Sequence, residues 1–181
     1  LVAAEYDTGT LRGFDPATGD QRWSSELAVL APSLTRATVA LTSDTLWHVH
    51  DGSITAADPA SGEQRWREPL VGDGSVRGER YAVADAVYVL EPDADQLTAF
   101  ERGGERRWSR EIDDAAHGVA VDGNTVYAAA GSGLEAVTVD AGDTRFRIGT
   151  ESAPGDALTP LVGDGAVYGV AGNTVYGVTD R

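Results

Sequence analysis

The 181 residues contain no cysteine, no methionine and no lysine. Without cysteine there is no disulfide, no thiolate metal ligand and no thiol nucleophile. Aromatic residues make up only 7%, so each tryptophan stands out. Every basic residue is an arginine: 14 stand against 29 Asp and Glu, for a net charge of −15. A surface of that sign repels phosphate backbones and anionic lipid, which argues against nucleic-acid or membrane-surface binding. No apolar run approaches the ~20 residues of a membrane-spanning helix, and no signal-like segment opens the chain. Lacking methionine, the chain is expected to be a piece of a longer polypeptide. Helical signals are missing too, because no window sustains a 3.6-residue apolar period with caps.

What is present is a repeat. Leu11 to Trp23 reads LRGFDPATGDQRW, Ile54 to Trp66 reads ITAADPASGEQRW, and Leu97 to Trp108 reads LTAFERGGERRW. Leu134 to Phe146, LEAVTVDAGDTRF, is a worn copy, and Val175 to Asp180 begins a fifth. The aromatic ends of the copies lie 43, 42 and 38 residues apart (positions 23, 66, 108 and 146). A period of that size signifies an array of supersecondary units. Each copy opens with alternating apolar residues around a small one (Gly13, Ala56, Ala99, Ala136, Gly177), which predicts a half-buried strand. Asp-Pro-Ala-Thr-Gly and Asp-Pro-Ala-Ser-Gly follow, with Pro presetting φ and Gly supplying a left-handed position. The chain then reverses into a second strand that carries the aromatic ring.

Strand signals fill the remainder. Leu1–Ala4, Ala37–Leu41, Leu46–Val49, Tyr81–Val83, Ala86–Leu90, Val119–Val121, Thr125–Ala129, Leu161–Val162 and Val167–Val170 are short, mostly apolar runs, each containing at least one β-branched residue. Asp122-Gly123-Asn124 and Asp164-Gly165 are hairpin signals between them. Four strands per ~41 residues predict an all-β fold of small antiparallel sheets set side by side, the blades of a β-propeller. A β-helix is the second choice, because its coils are shorter and lack the turn-then-Trp pattern. Dividing the chain by the period gives blades at 1–43, 44–84, 85–123 and 124–165, with two strands of a fifth at 166–181. A fragment of a seven- or eight-bladed ring is expected. Open blades at both ends would leave unpaired edges through which copies of the chain could associate.

Gly13-x-Asp15-x-x-Thr18-Gly19-x-x-x-Trp23 and Ala56-x-Asp58-x-x-Ser61-Gly62-x-x-x-Trp66 resemble the tryptophan-docking motif of pyrroloquinoline-quinone-like propeller repeats. The resemblance implies that Trp23, Trp66, Trp108 and Phe146 stack between blades. Each would rest on the small first residue and on the glycine (Gly19, Gly62, Gly104, Gly142) of an adjacent motif. The third copy departs by one deletion and an Asp-to-Glu change, the fourth by Thr138 for Asp and Phe146 for Trp. The family includes quinone dehydrogenases, outer-membrane assembly lipoproteins and kinase sensor domains, so the motif speaks to fold and not to function. An exported or membrane-anchored parent is expected over a cytoplasmic one. The Lys-free acidic composition resembles members from extreme halophiles.

Chemical signals are few. His48 and His50 stand at i and i+2 on one strand, a spacing that metal sites use, but other repeats carry Val89 and Glu91 or Ala128 and Ala130 there. Two polar residues facing solvent or a channel is the favoured reading. Glu91, Asp93 and Asp95 offer oxygen ligands for Ca²⁺, yet no Asp-x-Asp-x-Asp-Gly loop frames them, so a solvated acidic turn is expected. His117 has no partner in the sequence pattern. Neither a nucleophile elbow nor a phosphate-cradling loop occurs, Gly131-Ser132-Gly133 being a turn. The expected function is a non-catalytic scaffold that presents loops to a protein or small ligand, with no cofactor. The alternative is part of a quinone-dependent dehydrogenase whose catalytic residues lie outside this segment.

The acidic, Lys-free composition has two readings: codon bias on a solvated face, or adaptation to high salt. The second is favoured, because salt screens the self-repulsion of an acidic shell. The melting temperature is therefore expected to rise on transfer into molar KCl, and a melt indifferent to salt removes the halophilic reading.

Overall fold

The computed structural model describes residues 2–5, 10–25, 38–50, 52–72, 81–131, 133–149, 159–163, 165–171 and 174–179. The side chains of a few of these, His50 and His117 among them, lie outside the described part. The chain divides into two units, Leu1–Gly78 and Glu79–Arg181. The first holds a sheet of β1 (Val2–Glu5), β2 (Thr10–Phe14) and β3 (Gln21–Ser25). It also holds a sheet of β4 (Thr38–Leu41), β5 (Leu46–His50), β6 (Ser53–Ala57) and β7 (Gln64–Pro69). The second unit begins with β8 (Tyr81–Val83), β9 (Val87–Glu91), β10 (Gln96–Phe100) and β11 (Arg106–Glu111). Its next sheet is β12 (Ala115–Asp122), β13 (Thr125–Ala130), β14 (Gly133–Thr138) and β15 (Thr144–Gly149). A sheet of β16 (Thr159–Gly163), β17 (Ala166–Ala171) and β18 (Thr174–Thr179) completes it. All five sheets are antiparallel meanders in chain order. A 3₁₀ turn at Pro92–Ala94 is the one helical element among the described residues.

The sheets keep the expected period but not its expected phase. β4 pairs with β5 (Thr38 opposite Val49) and β8 with β9 (Tyr81 opposite Val89), so each sheet closes with its aromatic-bearing strand. The division at 43/44, 84/85, 123/124 and 165/166 thus falls one strand late. Among the described residues three sheets have four strands and two have three. The Thr42–Thr45 turn, in which Thr42 N–H donates to Thr45 O at 2.9 Å, closes β4 onto β5 and so places β4 in the second sheet.

The repeated turn closes in the same way each time. Asp15 N–H donates to Asp20 O at 2.8 Å, and Gly19 N–H donates to Asp15 O at 2.9 Å. Asp15 Oδ1 accepts from Ala17 N–H at 2.8 Å, and its other oxygen pairs with Arg22. Asp58, Ala60, Gly62, Glu63 and Arg65 repeat this set. The third copy is one residue shorter, so Gly104 N–H reaches Glu101 O at 3.0 Å, and Arg107 takes both Glu101 oxygens. In the fourth, Thr138 Oγ1 accepts from Asp143 N–H at 3.1 Å, and Arg145 turns to Thr125 Oγ1 at 2.6 Å. Gly19, Gly62, Gly104 and Gly142 all hold φ between 73° and 102°, the region open to glycine.

Burial follows strand position within the sheet. β13 and β14 are buried at nearly every residue, because in the second unit neighbouring sheets cover both faces. Alternation alone had suggested one wet face. Leu90, Leu97, Ile112, Val126 and Val137 form one core cluster, and Tyr127, Leu134, Ala136 and Val167 form another. In the first unit Leu11, Leu46 and Ala57 pack around Trp23. The aromatic-bearing β15 is largely exposed.

The turn pairs make an acid-sensitive element. The Arg65 hydrogen bond, then that of the Ala60 amide, holds Asp58 below the ordinary Asp value of 3.8. Arg22 and Ala17 do the same for Asp15, and Arg107 lowers Glu101. A carboxylate lowered in the folded state stabilises it fully above its unfolded value, and the contribution is lost as pH falls through the lowered one. An NMR titration is expected to place the Asp58 midpoint below 3.8, and Arg65→Gln to move it upward; a midpoint that ignores Arg65→Gln contradicts the pairing.

Candidate functional site

Two places gather chemistry: the aromatic rings between sheets and a charged hollow in the second unit. Trp23 is 9% exposed, and its Nε1–H donates to Pro59 O at 3.0 Å, in the turn of the following copy. Its ring covers Gly62, where an added Cβ would stand 2.5 Å from Trp23 Cε3. Trp108 repeats the arrangement, donating to Val139 O, 31 residues further along the chain, at 2.8 Å and covering Gly142. Pro59 and Val139 hold the same position in their copies. Trp66 is half-buried and meets Trp47 edge-on at 5.6 Å within its own sheet. Phe146 is 39% exposed and lies 6.4 Å from Tyr127. Gly104 is buried, and Gly19 has open space where a side chain would begin.

The remaining candidates do not converge. His48 is buried in β5 opposite Val39 and Thr55, and the side chain of His50 falls outside the described residues, so the pair cannot be drawn as one site. Glu91, expected in a solvated acidic turn, is 2% exposed at the end of β9. The 3₁₀ turn then breaks the alternation, leaving Asp93 exposed, while Asp95 adopts φ 49° and accepts from Ala115 N–H at 3.0 Å. No group of three or more His, Asp or Glu side chains suited to a metal occurs among the described residues.

The charged hollow was not expected. Glu135 lies in the middle of β14, wholly buried. Its Oε1 accepts from Arg110 at 2.6 Å and from Thr144 Oγ1 at 2.8 Å. Its Oε2 stands 3.0 Å from Arg147 Nη2, and Arg147 also reaches Asp113 at 3.2 Å. The charge of Glu135, then the Asp113 hydrogen bond, raises the Arg147 pKa and keeps the guanidinium protonated. Sequence offered one clue: Glu135 sits where Thr55 and Thr98 stand in other copies, directly opposite Arg147 on the paired strand. Beside this network opens a hollow of about 320 Å³, lined in part by Asp113, Asp114, Gly131, Gly133, Glu135 and Arg147.

The rings should differ in energetic weight according to their burial. Trp23→Ala is expected to cost on the order of 3–5 kcal/mol in denaturant unfolding, because the ring is buried and its N–H bonded. Phe146→Ala, which removes a partly exposed ring without a polar handle, should cost clearly less. Equal losses would contradict the ranking.

No protein-family model and no curated protein matches the chain. Solved structures do. The crystal structure of BamB from Moraxella catarrhalis, a β-propeller, aligns with a TM-score of 0.69 at 17% identity. The alignment covers 98% of this chain and 54% of that one. The computationally designed Ika8 protein aligns with a TM-score of 0.78 at 20% identity, over 99% of this chain and 55% of that one. The chain therefore spans about half the length of the structures it matches. At these identities the likeness concerns the fold: the chain is all-β, and its antiparallel sheets are β-propeller blades.

Proposed function

We propose that the chain is a non-catalytic propeller scaffold that presents its loops to a protein partner, a second copy meeting an open sheet edge included. One observation carries the reading: the repeated polar groups are spent inside the repeats. Asp15 and Asp58 bind their own turns and arginines, Glu101 binds Arg107, and the indole N–H groups of Trp23 and Trp108 bind backbone carbonyls. What differs between copies lies in the connections at the sheet ends, where propellers and other rigid scaffolds carry recognition. The alternative, a segment of a quinone-dependent dehydrogenase, has no observation of this kind in its favour.

The cysteine-free chain suits a clean test, since one introduced thiol is the only one present. Asp93→Cys and Asp140→Cys place a photocrosslinker on exposed turns at opposite ends of their sheets. The expected result is a saturable crosslink to one protein of the source organism from one of the two positions, competed by unlabelled chain. Dye-coupled alcohol or glucose oxidation with added quinone and Ca²⁺ is expected to show no turnover. Turnover, or no crosslink from either end, overturns the reading.

A further inference from the structure

The hollow beside Glu135 opens at the shortest of the crossings from one sheet to the next. β11 and β12 are joined by Ile112-Asp113-Asp114 alone, whereas β3–β4, β7–β8 and β15–β16 are joined by 12, 11 and 9 residues. The short crossing is held by Asp114, which adopts φ 50° and accepts from Gly131 N–H at 2.8 Å. Gly133 lines the hollow and admits no side chain, because an added Cβ would collide with the Ile148 carbonyl of the paired strand. The hollow measures about 320 Å³, with apolar wall from Leu134 and Ile148 and charged groups around it.

Its charge is not closed. Asp113, Asp114 and Glu135 supply three carboxylates, and Arg110 and Arg147 supply two guanidiniums, so 3 − 2 leaves one negative charge. Its hydrogen bonding is not closed either. Glu135 Oε2 is buried and accepts no well-directed hydrogen bond, although the Arg147 guanidinium stands 3.0 Å away. A buried acceptor in that condition is stabilised by any added N–H donor. Arg147 already demonstrates that carboxylates here hold a guanidinium, since it bridges Glu135 and Asp113.

We propose that this hollow receives an arginine side chain from a protein partner, its guanidinium set between Asp114 and Glu135 and its stem against Leu134 and Ile148. The proposal rests on the scaffold reading above and names the chemistry of the partner. The volume lies at the low end of the ~300–1,000 Å³ typical of small-molecule pockets, which suits one long side chain. A forked planar cation can meet two carboxylates at once, and its stem can lie along apolar wall.

The test is an NMR titration of the full chain with N-acetyl-arginine amide, with the neutral citrulline analogue as control. Saturable shifts are expected at the amides of Gly131, Gly133 and Gly149, with none from citrulline. Asp114→Asn, which tolerates the left-handed backbone, should weaken binding by roughly fivefold or more. Asp140→Asn, on the exposed β14–β15 turn, should change it less than about twofold. Raising KCl to about 1 M, where the screening length is ~3 Å, should remove scattered shifts and keep those at the three glycines. Shifts that do not saturate, that respond equally to both variants, or that vanish in high salt overturn the site. A flat arginine titration with crosslinking intact defeats the arginine site alone. Quinone turnover defeats the scaffold reading while leaving the titration result standing.

Discussion

An indole N–H that must find an acceptor in the following repeat is the constraint from which the rest of this structure follows. A buried indole donor left without a partner costs stability, so Trp23 and Trp108 are tied to Pro59 O and Val139 O. That bond fixes how far one sheet can slide along the next within each unit. The same turn supplies the surface for the ring. Gly62 and Gly142 are needed in the left-handed region to close their turns, and their missing side chains leave room for the indole. One glycine thus meets two demands, and a substitution there would offend both.

This double use explains why so much of the fold was legible. Asp, Gly and the aromatic ring recur at short offsets because turn closure is local to one copy, and the ring that follows each turn is placed on the same turn of the next copy. Strand positions followed from β-branched and aromatic residues, and Tyr81–Val83 was placed to the residue. The phase of the sheets was less legible, since a period alone does not say which strand begins a unit. Backbone pairing decides that: the Thr42–Thr45 turn pairs β4 forward with β5. Glu91 misled for a different reason. Beside Asp93 and Asp95 it reads as part of an acidic loop, but Pro92 starts a 3₁₀ turn and leaves Glu91 behind in a buried strand.

The network around Glu135 was hidden because its members are far apart in sequence and each is unremarkable alone. Arg110 comes from β11, Glu135 from β14 and Arg147 from β15. The pairing becomes visible only with the register known, which sets Glu135 opposite Arg147, as Thr98 is opposite Ser109 one repeat earlier. There the hydroxyls of Thr98 and Ser109 meet at 3.0 Å. In the next repeat the same two positions carry full charges, and Arg110 arrives from the neighbouring sheet.

Why such a group is kept in a core can be argued from what else holds those two sheets together. Trp108 and Arg110 stand two residues apart on one face of β11, and both reach the turn of the fourth copy, at Val139 O and Gly142 O. The other aromatic positions are followed at that spacing by Ser25, Glu68 and Ile148. Ala99 and Ala136 lie among the apolar side chains packed between sheets, and apolar contact is non-directional, so by itself it discriminates weakly between registers. A buried carboxylate discriminates strongly, because stripping it of its partners costs ~3–5 kcal/mol. Its net contribution to stability can be small while its penalty for misalignment is large. Arg110 and Glu135 therefore act chiefly on register, in the repeat pair where the turn has lost one residue and the Asp-Pro pattern has worn away.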